Sequence, residues 1–141
     1  MKGFKYFVDT NIFLRPIVRD VPHQAADCLK FLEKISKGEL KAFTGSLVLA
    51  ELTWTLLKFY DYSRSEIAEI LKGLAAAENL KIIDRYNANE AIQSYSAYNI
   101  KFIDCLIASH PQIANGQMTI ISYDKDFDKL KIKRVEPGQL S

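Results

Sequence analysis

Phe4-Lys5-Tyr6-Phe7-Val8-Asp9-Thr10-Asn11 decides how this chain is read. A short aromatic and β-branched run that ends on an acid and two small polar residues is the pattern of a buried strand entering a turn. A second run, Met118-Thr119-Ile120-Ile121-Ser122-Tyr123, reads the same way over Thr119–Ser122 and again meets an acid, Asp124. Further short strands are expected at Ala42–Thr44, Leu80–Ile83 and Ile132–Val135.

Helical spacing fills the gaps between these strands. The sequence predicts a short helix over Ile12–Arg15, closed by Pro16, and a longer one over His23–Lys37 that Gly38 stops. Ser46 is a good N-cap for a helix to Tyr60, and Ser63 for one to Ala76. Asn87–Tyr98 and Phe102–Ala114 read as two more, and Asp124–Lys129 as a single turn. Strands that alternate with helices imply an α/β fold, a central parallel β-sheet flanked by helices. Ligands of such sheets bind beyond the carboxyl ends of the strands, where strand order reverses. Asp9 and Asp124 are expected at such ends.

Two further acids join them. Glu51 shares a helical face with Leu47, Val48, Trp54 and Thr55, an apolar setting in which a carboxylate needs a partner or a metal. Asp104 opens a helix in Phe102-Ile103-Asp104-Cys105-Leu106, with Lys101 as the one base at helical spacing. Each acid has a plainer reading. Asp9 and Asp124 could cap helices, Asp104 could answer a helix dipole, and Glu51 could sit in a buried salt bridge. Thr10 or Asn11 could take over the capping and leave Asp9 free. Taken together, acids gathered in one concave site repel unless a cation lies among them, which points to a hard divalent ion and a phosphodiester substrate. Asp126 reads as a rim acid and Asp128 as solvated.

Bulk properties exclude several classes. At 141 residues, 48% hydrophobic and 26% charged, the chain is expected to form one soluble domain over residues 1–141. No apolar run approaches the ~20 residues of a membrane span, and the start at Met1-Lys2-Gly3 does not read as a signal peptide. An intracellular, cytoplasmic protein is expected. Cys28 and Cys105 fit no metal knuckle and read as buried reduced thiols. A net charge of +2 neither demands nor excludes nucleic acid. The basic stretch Lys125, Lys129, Lys131, Lys133 and Arg134 is open to both phosphate contact and plain solvation. Trp54, Phe59 and Tyr60 are open to both a contact surface and core packing.

The pieces Phe7-Val8-Asp9-Thr10-Asn11, Leu49-Ala50-Glu51-Leu52, Asp104-Cys105-Leu106-Ile107-Ala108 and Ile121-Ser122-Tyr123-Asp124-Lys125-Asp126-Phe127 together resemble the PIN-domain ribonucleases, above all the VapC-like toxins of type II toxin–antitoxin pairs. The resemblance runs from Tyr6 to Phe127. It implies a PIN-like three-layer sandwich and a metal-dependent endoribonuclease with Asp9, Glu51, Asp104 and Asp124 as its acidic positions. Asp9 and Asp104 would be direct ligands of Mg²⁺ or Mn²⁺, with Glu51 and Asp124 on a second ion or on water. Thr10, Asn11 and Ser122 match residues that orient the acids, with Asp126 in support. RNA as substrate, a cognate antitoxin and a homodimer follow from the same likeness. Cys105 stands where alanine is usual and Ser122 where threonine is, and neither change removes a ligand.

Neither His23 nor His110 lies near these motifs, which disfavours histidine-based RNA cleavage. A receiver-like phosphoacceptor would need an acid pair at the first strand, and a haloacid-dehalogenase phosphatase a second Asp where Asn11 stands. The remaining alternatives are a catalytically silent binding module of the same fold, which would lack metal-linked stabilisation, and a non-toxin nuclease of RNA processing.

Overall fold

The opening aromatic run forms strand β1 over Lys5–Val8, with Phe4 outside the strand and exposed. The structure, a computed structural model, describes residues 4–140; Met1, Lys2, Gly3 and Ser141 lie outside the described residues, and with them part of the stretch weighed above as a leader. Four more strands follow: β2 (Lys41–Thr44), β3 (Leu80–Ile82), β4 (Met118–Ile121) and β5 (Arg134–Val135). All pair in parallel, in the order β3-β2-β1-β4-β5. β1 is the centre: Tyr6 lies beside Ala42 on one flank and Thr119 on the other. Tyr6, Phe7 and Val8 are all buried, as a strand covered on both faces requires.

Helices α1 (Thr10–Val18) and α2 (Pro22–Ser36) connect β1 to β2, and α3 (Ser46–Phe59) and α4 (Arg64–Ala76) connect β2 to β3. The chain then returns past β1 through α5 (Ala88–Ala97), α6 (Phe102–Ala108) and α7 (Pro111–Ala114) to enter β4. Right-handed crossovers place this last group on the opposite face of the sheet from α1–α4, because the direction of travel has reversed. The three-layer α/β sandwich expected from the sequence is the fold observed. A main core of Phe7, Ile12, Phe31, Leu52, Ile107, Ile120 and Phe127 fills it. A small satellite cluster of Ala91, Ile100 and Cys105 lies under α5 and α6.

Four local expectations need correction. The first helix does not stop at Arg15: it runs through Pro16 to Val18, where Ile17 and Val18 pack on the core and hold the last turn that the missing proline N–H would weaken. The helix expected over Phe102–Ala114 is two helices. His110, which precedes Pro111, takes an extended ψ of 129°, as the residue before proline prefers, and its Nδ1 accepts from Gln112 N. Ser46 is not the N-cap of α3; Gly45 is. Ser46 instead gives both its backbone N–H and its hydroxyl to Asp84, just past β3. Finally, β5 is only Arg134–Val135, and a 3₁₀ turn at Pro137–Leu140, which the sequence reading did not anticipate, packs against α2.

Candidate active site

Each acid reaches the site on a different element. Asp9 follows β1 and is the N-cap of α1, with Oδ1 accepting from Thr10 N at 2.9 Å. The idea that Thr10 or Asn11 would cap in its place is therefore wrong. Asp9 is nonetheless buried, and its second oxygen accepts the Ser122 hydroxyl at 2.6 Å from the end of β4. The same Ser122 oxygen accepts from Asp124 N at 2.9 Å, so one buried serine fixes both strand-end acids. Asp124 caps the 3₁₀ turn Lys125–Leu130 by accepting from Asp126 N. The strands that carry Asp9 and Asp124 are adjacent, and the order reverses between them, the switch point where ligands of such sheets bind.

Glu51 comes from the second turn of α3. It is less enclosed than its apolar neighbours in sequence suggest, since Trp54 points to solvent. It has two partners: the Thr10 hydroxyl donates to Oε1, and Lys101 Nζ lies 3.7 Å from Oε2. The salt-bridge alternative for Glu51 thus holds as far as this pair goes. Asp104, in the first turn of α6, is 2% exposed, and its Oδ2 is buried without a hydrogen-bond partner. Lys101 Nζ stands 4.0 Å from that oxygen.

Asn11 is half-buried in the first turn of α1 and makes no hydrogen bond to the acids among the described residues. Asp126 pairs with Lys129 at 3.0 Å. Asp128 is not merely solvated: both its oxygens accept from Arg134, which also reaches Glu136 and the Ser122 carbonyl. Arg134 is thereby committed to bracing the end of β4, not left to meet phosphate. Cys28 and Cys105 are free and buried, as expected. His110 is buried at the start of α7 and His23 lies in α2, and neither contacts the four acids.

The electrostatics follow from this packing. Burial pushes the Asp104 carboxyl up to about 8, against the pull of Lys101, and the charges of Asp9 and Asp124 add to the rise. Burial likewise raises Asp9 to about 6; its bonds from Ser122 and Thr10 oppose this, while Glu51 and Asp124 reinforce it. Carboxyls that resist ionisation because burial strips them of water, with other acids adding to the rise, are what a bound cation would relieve. Among the described residues no three His, Cys, Asp or Glu side chains already stand close enough to enclose an ion. The donor set still suits a hard divalent cation: an orphaned, buried carboxylate oxygen on Asp104, with Asp9 and Asp124 beside it, is all oxygen, and such ions complete their shells with water.

Lys101 is the residue whose place the sequence did not disclose. Its spacing to Asp104 is visible along α6, but its approach to Glu51, fifty residues away in the chain, exists only in the fold.

Fold and site together define an α/β protein with buried acids, Asp9 and Asp104, near the switch point of a parallel sheet. The profile of the PIN domain family matches residues 6–133, and the chain belongs to that family. It is 29% identical over 112 residues to a VapC ribonuclease of Aquifex aeolicus (strain VF5), covering 79% of this chain and 82% of that one. In fold it is similar to VapBC2 from Rickettsia felis bound to a DNA fragment from their promoter, with TM-score 0.68, 22% identity and coverage of 94% and 98% of the two chains. It is also similar to PAE2754 from Pyrobaculum aerophilum, with TM-score 0.68, 15% identity and coverage of 99% and 93%.

Proposed function

We propose that this chain is a metal-dependent endoribonuclease that hydrolyses RNA phosphodiesters and serves as the toxin of a toxin–antitoxin pair. The observation that carries the chemistry is the buried Oδ2 of Asp104, without a hydrogen bond, among acids that Ser122 and Thr10 lock in place. RNA as the substrate is supported by membership of the PIN domain family and by the relative named a VapC ribonuclease. The whole of residues 1–141 would act as one nuclease domain.

Asp9 and Asp104 would hold the cation, Mg²⁺ or Mn²⁺, with Asp124 alongside. When bound, such an ion lowers the pKa of a coordinated water and neutralises charge building on the phosphate. The chain's own residues supply order. Ser122 holds Asp9 and Asp124 in register, the Thr10 hydroxyl aims Glu51 at the site, and the α1 N-terminus stabilises the ionised form of Asp9. No histidine serves as a base in this scheme.

A cognate antitoxin and a homodimer are the proposed assemblies, and the cytoplasm the proposed location. The exposed aromatic pair Trp54 and Phe59, edge to face at 5.2 Å on α3, supports a contact surface there. No helix among the described residues is long and apolar enough to cross a membrane.

The test is cleavage of structured RNAs with Mg²⁺ or Mn²⁺, beside Asp104→Asn and a chelator. Loss of cleavage in both controls is the expected result. Cleavage that survives the chelator removes the metal from the mechanism. Absence of both cleavage and Mn²⁺ binding moves the chain to the silent binding-module reading.

A further inference from the structure

The acidic centre needs positive charge, and one source of it is already present. Lys101, the N-cap residue of α6, turns its ammonium to lie 3.7 Å from Glu51 Oε2 and 4.0 Å from Asp104 Oδ2. Those two carboxylates come from opposite sides of the sheet's switch point, and Lys101 bridges them. Burial works against its charge, but Asp104, Glu51, Asp124 and Asp9 together outweigh that, so the whole acidic set acts on it. Of the other bases, Arg134 pairs with Asp128 and Glu136, and Lys129 with Asp126. Glu51 is already satisfied on both oxygens, by Thr10 and by Lys101, whereas Asp104 Oδ2 is left without a hydrogen bond.

We propose that Lys101 is a resident cation that occupies the Glu51 side of the acidic centre, so that the chain takes a single divalent ion, on the side of Asp9, Asp104 and Asp124. This rests on the metal-dependent reading above and deepens it, because it assigns how many ions the site accepts and which residue decides. A second divalent ion beside Glu51 would meet the ammonium at close range and would have to displace it. Lys101 is 62% exposed on its side chain, so it can swing away; the bridge is a matter of charge balance, not of rigid packing.

The experiment is calorimetric titration of Mn²⁺ into the full chain and into Lys101→Met and Lys101→Arg, with circular dichroism to confirm the fold. The native chain and Lys101→Arg are expected to bind one Mn²⁺. Lys101→Met is expected to bind a second, or to bind the first about tenfold more tightly as the competing charge goes. Equal stoichiometry and affinity in all three proteins overturns the proposal while leaving the metal-dependent reading intact. No Mn²⁺ binding by any of them sinks both. A parallel cleavage series separates the remaining role for this lysine: if Lys101→Met raises KM for RNA and leaves Mn²⁺ binding unchanged, the ammonium contacts substrate phosphate and the proposal fails.

Discussion

Asp104 concentrates the energetic cost of this site in one carboxyl. Its ordinary value of 3.8 is lifted to about 8, and that of Asp9 to about 6. A carboxyl held above its unfolded value binds protons more tightly in the folded state. The metal-free protein therefore loses stability as pH rises from about 4, through 6 for Asp9 and through 8 for Asp104. Thermal melts of metal-free protein between pH 5 and pH 8.5 should show this decline, and Asp104→Asn should flatten its upper half. At pH 8 the Asn variant should melt higher by about 3 °C or more, what ~1 kcal/mol brings in a domain of this size. A variant that melts lower at pH 8 would mean the carboxylate is not strained by its neighbours. Ser122 is the other residue to probe, because it donates to Asp9 and accepts from Asp124 N. Ser122→Ala leaves a buried carboxylate oxygen and a backbone N–H short of partners and should cost about 1–3 kcal/mol in urea unfolding. Restoring a hydroxyl with Ser122→Thr should recover most of that.

At the scale of elements, the start of α3 depends on a residue outside it. Gly45 offers no side-chain cap, and Asp84 accepts the Ser46 N–H at 2.8 Å and the Ser46 hydroxyl as well. A Cβ at Gly45 would collide with the Tyr86 hydroxyl and crowd the Ile83 carbonyl, which explains a glycine at this N-cap. Burial would raise the Asp84 carboxyl, but the bonds from Ser46 and Tyr86 hold it below its ordinary range. Since α3 carries Glu51, this clamp also sets where that acid points. Asp84→Ala should cost ~1–2 kcal/mol, the usual loss for an N-cap, read as a lower urea midpoint. Asp84→Asn keeps one acceptor and should cost less. The helical breaks follow the same logic of local sterics: Pro111 ends α6 because His110 cannot stay helical before it, whereas Pro16 is overridden by packing of Ile17 and Val18.

Across the whole molecule, metal binding and folding are linked. An ion that binds only the folded chain adds about 2.7 kcal/mol at a hundred times its Kd. Mn²⁺ should raise the melting temperature, and more at pH 8 than at pH 6, because protons compete for Asp104 and Asp9 at the lower value. Asp9→Asn should abolish most of that rise. A pH-independent rise, or one that survives Asp9→Asn, would place the ion elsewhere.

The parallel α/β layout was legible in the sequence because strand and helix periods are local, and so were the strand-end positions of Asp9 and Asp124 and Ser63 as the cap of α4. The helix starts at Asn87 and Phe102 were equally plain. What the sequence could not state was which residue satisfies which. Asp9 turned out to cap α1 and to meet Ser122 across the sheet, Asp84 to cap α3 from another strand, and Lys101 to bridge Glu51 and Asp104. The Asp9 cap and the Lys101–Asp104 pair are local, but the bonds of Asp9 to Ser122, Asp84 to Ser46 and Lys101 to Glu51 join residues far apart in the chain, so they depend on strand order, and strand order is set only when the sheet closes around β1. Local sequence set the elements and the supply of carboxylates; their partners came with the folded sheet, because a buried charge takes whatever counter-charge or donor the completed fold brings within reach.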